Sequence, residues 1–372
     1  MNAPLKGFRA YANWLLSNYE ILVGASCIKA RPLKLTFDPT NVCQLRCPLC
    51  PTGLQVQDRD KGHAQLEMFQ RLLDQVGDYV FFIDFFNWGE PLLNPRVEEF
   101  IRLASSRKIV CSMSTNLSLP LTDDRVNRIV GSGLHEIIVS LDGASSETYS
   151  RYRRAGTFDL VYDNMRRILL AKQQSGQTIP LVTWQFLVFR FNEHEMDKAR
   201  AMAADVGVDR LIFRPPMIDL DRYPLSASDR EEISGWEPKS ALFKRATSEG
   251  RKSRCGWHYM SSAINWDGTV APCCTTFEKR DDFGAIGKDG AGSSYMSVVN
   301  NASFRAVRDR FAGRRTEPVS LVCETCPTPS IMDYHTWVNR QIVLFTAVNV
   351  LERLRGIANR RRSGTPRAPK VG

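Results

Sequence analysis

The 372-residue sequence predicts an α/β fold built around a parallel sheet. Between residues 33 and 216, short β-rich runs alternate with helix-period stretches, the form that stacked β/α units take in sequence. Tyr79 to Phe86 reads YVFFIDFF, nearly continuous in apolar residues, as a strand buried on both faces does. The polar and cysteine-bearing motifs all fall just after strands, where β/α sheets bind their ligands.

Six strands are expected, at Leu33 to Phe37, Tyr79 to Asn87, Ile109 to Ser114, Glu136 to Leu141, Leu181 to Val188 and Arg210 to Arg214. Helices are expected near Leu66 to Val76, Pro95 to Ser106, Asp123 to Gly131, Phe158 to Gln174 and Glu193 to Val206. The fourth has the clearest apolar stripe, in Leu160, Val161, Met165, Ile168 and Leu169. Asp84 interrupts the second strand and, if buried, needs a partner. From Pro215 to Arg254 periodicity breaks and a linker is expected. Beyond it, Cys255 to about Thr336 is too short in regular pattern for a good core without a staple. The expected organisation is a helical extension at 1–32, a core at 33–216, a linker at 217–254, a cysteine-rich domain at 255–336, and a C-terminal helix with a basic tail at 337–372.

The net charge of +10 is unevenly placed: Arg353 to Gly372 carry seven Lys/Arg and no acid. Such a tail is either solvated or, with the apolar stretch Gln341 to Leu354, a basic amphipathic helix resting on an anionic membrane. Nucleic acid is a weaker partner, because aromatics are not interleaved with these basic residues. No run approaches a membrane span and the N-terminus lacks a signal-peptide pattern, so a cytoplasmic location is expected. Ten cysteines in a long chain with C-x2-C pairs read as reduced thiols.

Cys43, Cys47 and Cys50 form a C-x3-C-x2-C array just after the first strand. Three thiolates on one loop can hold three irons of a 4Fe-4S cubane and leave the fourth iron open. Zinc favours four ligands, and the nearest histidine, His63, lies thirteen residues beyond Cys50. The array resembles the signature of the radical S-adenosylmethionine (SAM) enzymes. The resemblance covers roughly residues 33–216 and implies a partial (β/α)6 barrel, with SAM chelating the open iron. In that family an electron from the cluster cleaves SAM, and the 5'-deoxyadenosyl radical abstracts a substrate hydrogen.

The same resemblance implies a set of SAM contacts. Asn87-Trp88-Gly89-Glu90-Pro91 is similar to the family's Gly-Gly-Glu element, with Trp88 in place of the first glycine, so Gly89 and Glu90 would receive the methionine ammonium. Ser114-Thr115-Asn116 looks like its Thr-Asn-Gly segment, with Leu117 where glycine is usual. Ser140 and Asp142 follow the fourth strand, and Arg153 matches the arginine that pairs with the SAM carboxylate, Arg151 and Arg154 being rivals. An arginine fork suits a carboxylate because two parallel bonds fix orientation. Pro48 and Leu49 stand where an aromatic residue usually packs on the adenine.

A second set comprises Cys255, Cys273, Cys323 and Cys326, with four residues between Gly268 and Cys273. Ile264 to Val270 reads as two short strands around an Asp-Gly turn. This layout resembles the SPASM extension, or its shortened Twitch form, which binds auxiliary 4Fe-4S clusters. Four cysteines with one C-x2-C pair are also a normal zinc set. Cys274 is expected to point elsewhere, and Cys27 and Cys111 to be small buried hydrophobes.

The resemblance to Twitch-type dehydrogenases implies hydrogen abstraction from a small or sugar-like molecule, with oxidation completed by the auxiliary cluster. A ribosomal-peptide modifier and a non-catalytic iron–sulfur or zinc scaffold are the alternatives. A flavodoxin or ferredoxin is the implied reductant. Asp38, Asp84 and Arg214 lie near strand ends, facing the cavity or pairing with one another; no general base is identifiable.

Overall fold

The computed structural model describes residues 5–244, 255–287, 293–315, 323 and 334–362, the side chains of 334 and 352–362 excepted. After helix α1 (Phe8–Val23), β1 (Lys34–Phe37), α2 (Leu66–Val76), β2 (Phe82–Asp84), α3 (Val97–Ser106), β3 (Val110–Thr115), α4 (Asp123–Val130) and β4 (Glu136–Ser140) alternate. Helices α5 (Ser146–Tyr152) and α6 (Phe158–Gln174) precede β5 (Leu181–Leu187), followed by α7 (Met196–Val206) and β6 (Arg210–Arg214). The six strands lie side by side in chain order, all parallel. This is the parallel sheet that the alternating pattern predicts, with the six strands of the partial barrel that the resemblance implies. Strand β2 is shorter than expected: the Phe85 N–H still donates to the Ser112 carbonyl at 2.8 Å, and the chain then bends across the cysteine loop.

Strand periodicity divides the side chains between two environments. Leu35, Phe37, Ile83, Phe85, Cys111 and Met113 are fully buried. Phe37 packs on Phe69 of α2 and Phe100 of α3, with ring centroids at 4.6 and 5.6 Å. On the alternate positions the lining is polar. Asp84 finds its partner in Lys34 at 2.6 Å and accepts from Ser112 Oγ at 2.6 Å, while Thr183 and Arg210 both reach Glu136. Arg214, expected to face the cavity or pair with an acid, is exposed.

The expected linker contains α8 (Ala227–Ser234). Ile233 and Trp236 at its end are buried against Leu45, Cys47, Tyr152 and Phe189, so this segment packs over the first cysteine loop. Then come α9 (Trp257–Met260), β7 (Ser261–Ile264), β8 (Thr269–Ala271) and β9 (Gly284–Ala285). The expected hairpin is present: Gly268 N–H donates to the Asn265 carbonyl across the turn, and its φ of 84° suits glycine. Unlike a separate module, β7 pairs in parallel with β1, so one nine-stranded sheet runs from β6 to β9. Arg59, 4% exposed at the side chain, reinforces this junction through a 2.5 Å ion pair with Asp282. Helices α10 (Tyr295–Val299), α11 (Ala302–Phe311) and α12 (Tyr334–Arg362) complete the described chain. Among the described residues, no helix is long and apolar enough to cross a membrane.

Cys111 is fully buried as expected, but Cys27 is exposed, because it lies in the turn after α1 rather than on a packed face. Near Cys111, burial holds His135 neutral, its pKa lowered to about 4, and its Nδ1 accepts from the Cys111 N–H at 3.2 Å. A lowered histidine pKa contributes stability above the unfolded value and loses it as pH falls through the folded value. Stability should therefore decline by about 3 kcal/mol between about pH 6.5 and 4 from this group. Denaturant titrations of His135→Asn, whose amide oxygen can still accept the bond, should show that part of the slope removed.

Candidate active site

The cysteine loop leaves the C-terminal end of β1 and is fastened by its own polar residues. Thr40 Oγ1 donates to the Gly62 carbonyl at 2.7 Å and Asn41 Nδ2 to the Asp60 carbonyl at 2.9 Å. Cys50 N–H donates to the Cys47 carbonyl, and Leu54 N–H to that of Cys50, winding the array into successive turns. Gly53 lies so close beneath it that a Cβ would come within 2.5 Å of the Cys47 carbonyl oxygen. Cys47 is buried, whereas Cys43 and Cys50 are half-buried. Burial pushes the Cys43 and Cys47 thiols up to about 12 in the protein alone, so iron binding would have to displace their protons. No three Cys, His, Asp or Glu side chains converge on one ion among the described residues. A cubane does not require that, since each thiolate takes a different iron.

The segment after β2 crosses directly over this loop. Glu90 N–H donates to the Val42 carbonyl at 2.8 Å, and Thr52 Oγ1 to that of Trp88 at 2.6 Å. A Cβ at Gly89 would sit 1.7 Å from the Thr40 carbonyl oxygen, so only glycine fits here. Gly89→Ala should force the loops apart, costing about 1–3 kcal/mol by overpacking. Its iron content after anaerobic reconstitution should fall below that of the parent protein. Trp88, in place of a glycine, turns outward: its Nε1 donates to the Thr276 carbonyl at 2.7 Å and its ring meets Phe277 edge-on.

Glu90 is fully enclosed. It accepts from Thr115 Oγ1 at 2.6 Å, Asn116 N–H at 2.7 Å and Leu92 N–H at 3.1 Å. Burial raises its pKa against these three bonds. Glu90 and Thr115 therefore brace two strand ends against each other. Asn116 turns to the cysteines, with Nδ2 3.6 Å from Cys43 Sγ and Oδ1 accepting from Gln44 Nε2 at 2.9 Å. Leu117 has φ 54°, the left-handed conformation that a glycine would adopt more easily.

Ser140 lies 3.4 Å from Ser114, oxygen to oxygen. Asp142, fully buried, accepts from the Leu187 N–H at 2.7 Å and from Arg153 Nε at 2.6 Å. That leaves Arg153 Nη1 4.0 Å from Cys47 Sγ. Burial disfavours charge on Arg153, but Asp142 and Cys47 outweigh it and keep the guanidinium protonated. Arg151 and Arg154 are instead tied to Glu232 and Asp229 of α8. Asp38, at the end of β1, is 1% exposed and its Oδ1 has no hydrogen-bond partner among the described residues. Burial lifts its pKa to about 7. A three-thiol loop, a glycine-only crossing, a protonated arginine beside a thiol and a buried carboxyl oxygen fit a cluster with a polar, partly anionic ligand.

In the second set, Cys255 precedes α9, Cys273 follows β8, and Cys323 Sγ lies 3.6 Å from His258 Nε2. Cys326 lies outside the described residues. Cys273 meets Thr275 Oγ1 at 2.9 Å; the Cys274 thiol, pushed up to about 12 by burial, lies within electrostatic reach of Cys273 as well as of Lys34 and Asp84. Sequence reasoning placed Asn116 in a motif without giving it a role, and missed Gln44, Ile233 and Trp236, which complete the polar and apolar walls of the loop.

With this arrangement in view, the comparisons with known proteins agree in two places. The radical SAM superfamily matches residues 37–197, and the SPASM iron-sulfur cluster-binding domain matches 255–327. The chain belongs to the radical SAM superfamily and carries a C-terminal SPASM-type domain. Its cofactors are a SAM-binding 4Fe-4S cluster, SAM itself and auxiliary iron–sulfur chemistry in the second domain.

Among its relatives is the mycofactocin maturase MftC of Mycobacterium tuberculosis (strain CDC 1551 / Oshkosh), 25% identical over 183 residues, which are 49% of this chain and 44% of that one. The PqqA peptide cyclase of Bradyrhizobium diazoefficiens is 24% identical over 183 residues, 48% of this chain and 45% of that one. The AdoMet-dependent heme synthase of Nitratidesulfovibrio vulgaris is 24% identical over 231 residues, 60% of each. The chain thus spans about half the length of the curated relatives it matches. Streptococcus suis SuiB bound to precursor peptide SuiA shares the fold at TM-score 0.53 and 14% identity, over 84% of this chain and 72% of that one.

Proposed function

We propose that this enzyme modifies a side chain of a peptide, with Cys43, Cys47 and Cys50 holding the SAM cluster. When bound, the cluster and SAM supply a 5'-deoxyadenosyl radical that takes hydrogen from the substrate. Gly89 lets the backbone approach the loop. Arg153 offers its free edge to the SAM carboxylate while Asp142 holds its orientation. Ser140 and the unpaired oxygen of Asp38 supply polar contacts, and Glu90 and Thr115 keep the strand ends in register. Cys255, Cys273, Cys323 and Cys326 would hold the auxiliary centre, whose capacity to accept an electron suits a net oxidation.

The peptide reading, in place of the small-molecule one, is carried by the names of two of the similar proteins, the PqqA peptide cyclase and SuiB bound to precursor peptide SuiA. The sheet supports it: among the described residues β6 pairs with β5 alone and is not joined to β1, which leaves a strand edge open to an extended chain. The test is anaerobic turnover with a deuterated small-peptide fraction from host cells. Deuterium appearing in 5'-deoxyadenosine, and lost when the fraction is first digested with peptidases, supports the reading. Label transfer that survives digestion would return the substrate to the small molecules.

A further inference from the structure

Helices α1 and α12 lie antiparallel across the N-terminal ends of β1 and β2, away from the cysteine loop. Trp14 Nε1 donates to Asn339 Oδ1 at 2.6 Å, and Tyr11 pairs with Thr346 at 3.2 Å. Inward, Val338, Ile342 and Phe345 of α12 are buried, the last against Phe82 with ring centroids at 6.0 Å. The outward faces are apolar too. On α1, Phe8, Ala12, Leu15, Tyr19 and Val23 recur at helical spacing and are exposed, Phe8 by 85% and Leu15 by 64%. On α12 the exposed positions Val343, Leu344, Ala347, Val350 and Leu351 form a matching stripe.

A helix apolar on both faces belongs in a core or against lipid, and a two-helix apolar face of this extent needs a cover. The charges on it have one sign. Arg9 and Arg340 are its exposed ions, Glu20 is buried and bonded to the Lys29 and Ala30 N–H groups, and residues 335–351 contain no acid. α12 then continues into a segment with one acid, Glu352, against five arginines, Arg353, Arg355, Arg360, Arg361 and Arg362. A second copy docked by a two-fold axis would bring these like charges together, whereas an anionic bilayer complements them.

We propose that the α1–α12 face rests on an anionic phospholipid surface, with apolar side chains in the interface and arginines at the headgroups. The barrel floor then faces the membrane and the cysteine end faces the aqueous phase. The full-length, reconstituted protein should float with equimolar phosphatidylglycerol–phosphatidylethanolamine vesicles, less so at high salt, and not with phosphatidylcholine alone. Leu15→Glu/Leu344→Glu should lower the bound fraction by at least about tenfold, with iron content and 5'-deoxyadenosine formation unchanged to show that the fold persists. No flotation of the parent protein, or equal flotation of the variant, overturns the proposal. So does a parent dimer by light scattering that the variant converts to monomer, since a second copy would then be the cover. If the double variant fails to retain iron, the single Val350→Glu carries the same comparison.

Discussion

Cys47→Ala is expected to reduce the iron of reconstituted protein from about eight to about four per chain, on the stoichiometry of two cubanes. Formation of 5'-deoxyadenosine under dithionite should fall by at least about three orders of magnitude, the scale of loss when an obligatory member of a catalytic set is removed. Cys47 is the buried member of the array and faces Arg153. Cys273→Ala should also lose about four irons but retain reductive SAM cleavage, because its loop hangs from β8 and not from β1. Equal iron and equal SAM cleavage in Cys47→Ala would remove the cluster from this loop.

Arg153→Ala is expected to act on both stability and SAM affinity. Asp142 is fully buried, and removing the guanidinium leaves its carboxylate with only the Leu187 N–H. Breaking a buried ion pair by deleting one partner costs about 3–5 kcal/mol. Arg153→Lys keeps the charge but cannot hold Asp142 through Nε while presenting a second edge toward Cys47. It should recover much of the stability in denaturant titrations while SAM binding by isothermal calorimetry stays weakened. Recovery of both by lysine would show that Arg153 serves the carboxylate of Asp142 and nothing beyond it.

The core strands were legible because parallel strands covered by helices leave apolar runs bounded by turn residues, and the cysteine spacing was legible because one loop supplies all three thiols. Asp84 announced its need for a partner, although nothing local pointed to Lys34, fifty residues earlier. The pairing of β7 with β1 was hidden, since SSAI has little periodicity and its partner lies far back in the chain. Arg59 and Asp282 are separated by 223 positions, and only the folded sheet brings them together. Glu90 and Thr115 sit at motif positions, but their mutual hydrogen bond depends on the relative height of two strand ends, which no one-dimensional pattern encodes. Ile233 and Trp236 were hidden in a stretch whose periodicity is broken, because an eight-residue helix with one buried side chain leaves almost no stripe.

The continuous ladder from β1 through β7 to β8 has a kinetic consequence. The first cysteine loop and Cys273 are mounted on one hydrogen-bonded frame, clamped again at Arg59. Clusters held by these two loops would keep a nearly constant gap, so electron transfer between them would not wait on a conformational search. Turnover limited by that transfer should then be insensitive to sucrose or glycerol, whereas a swinging cofactor arm would slow in proportion to viscosity.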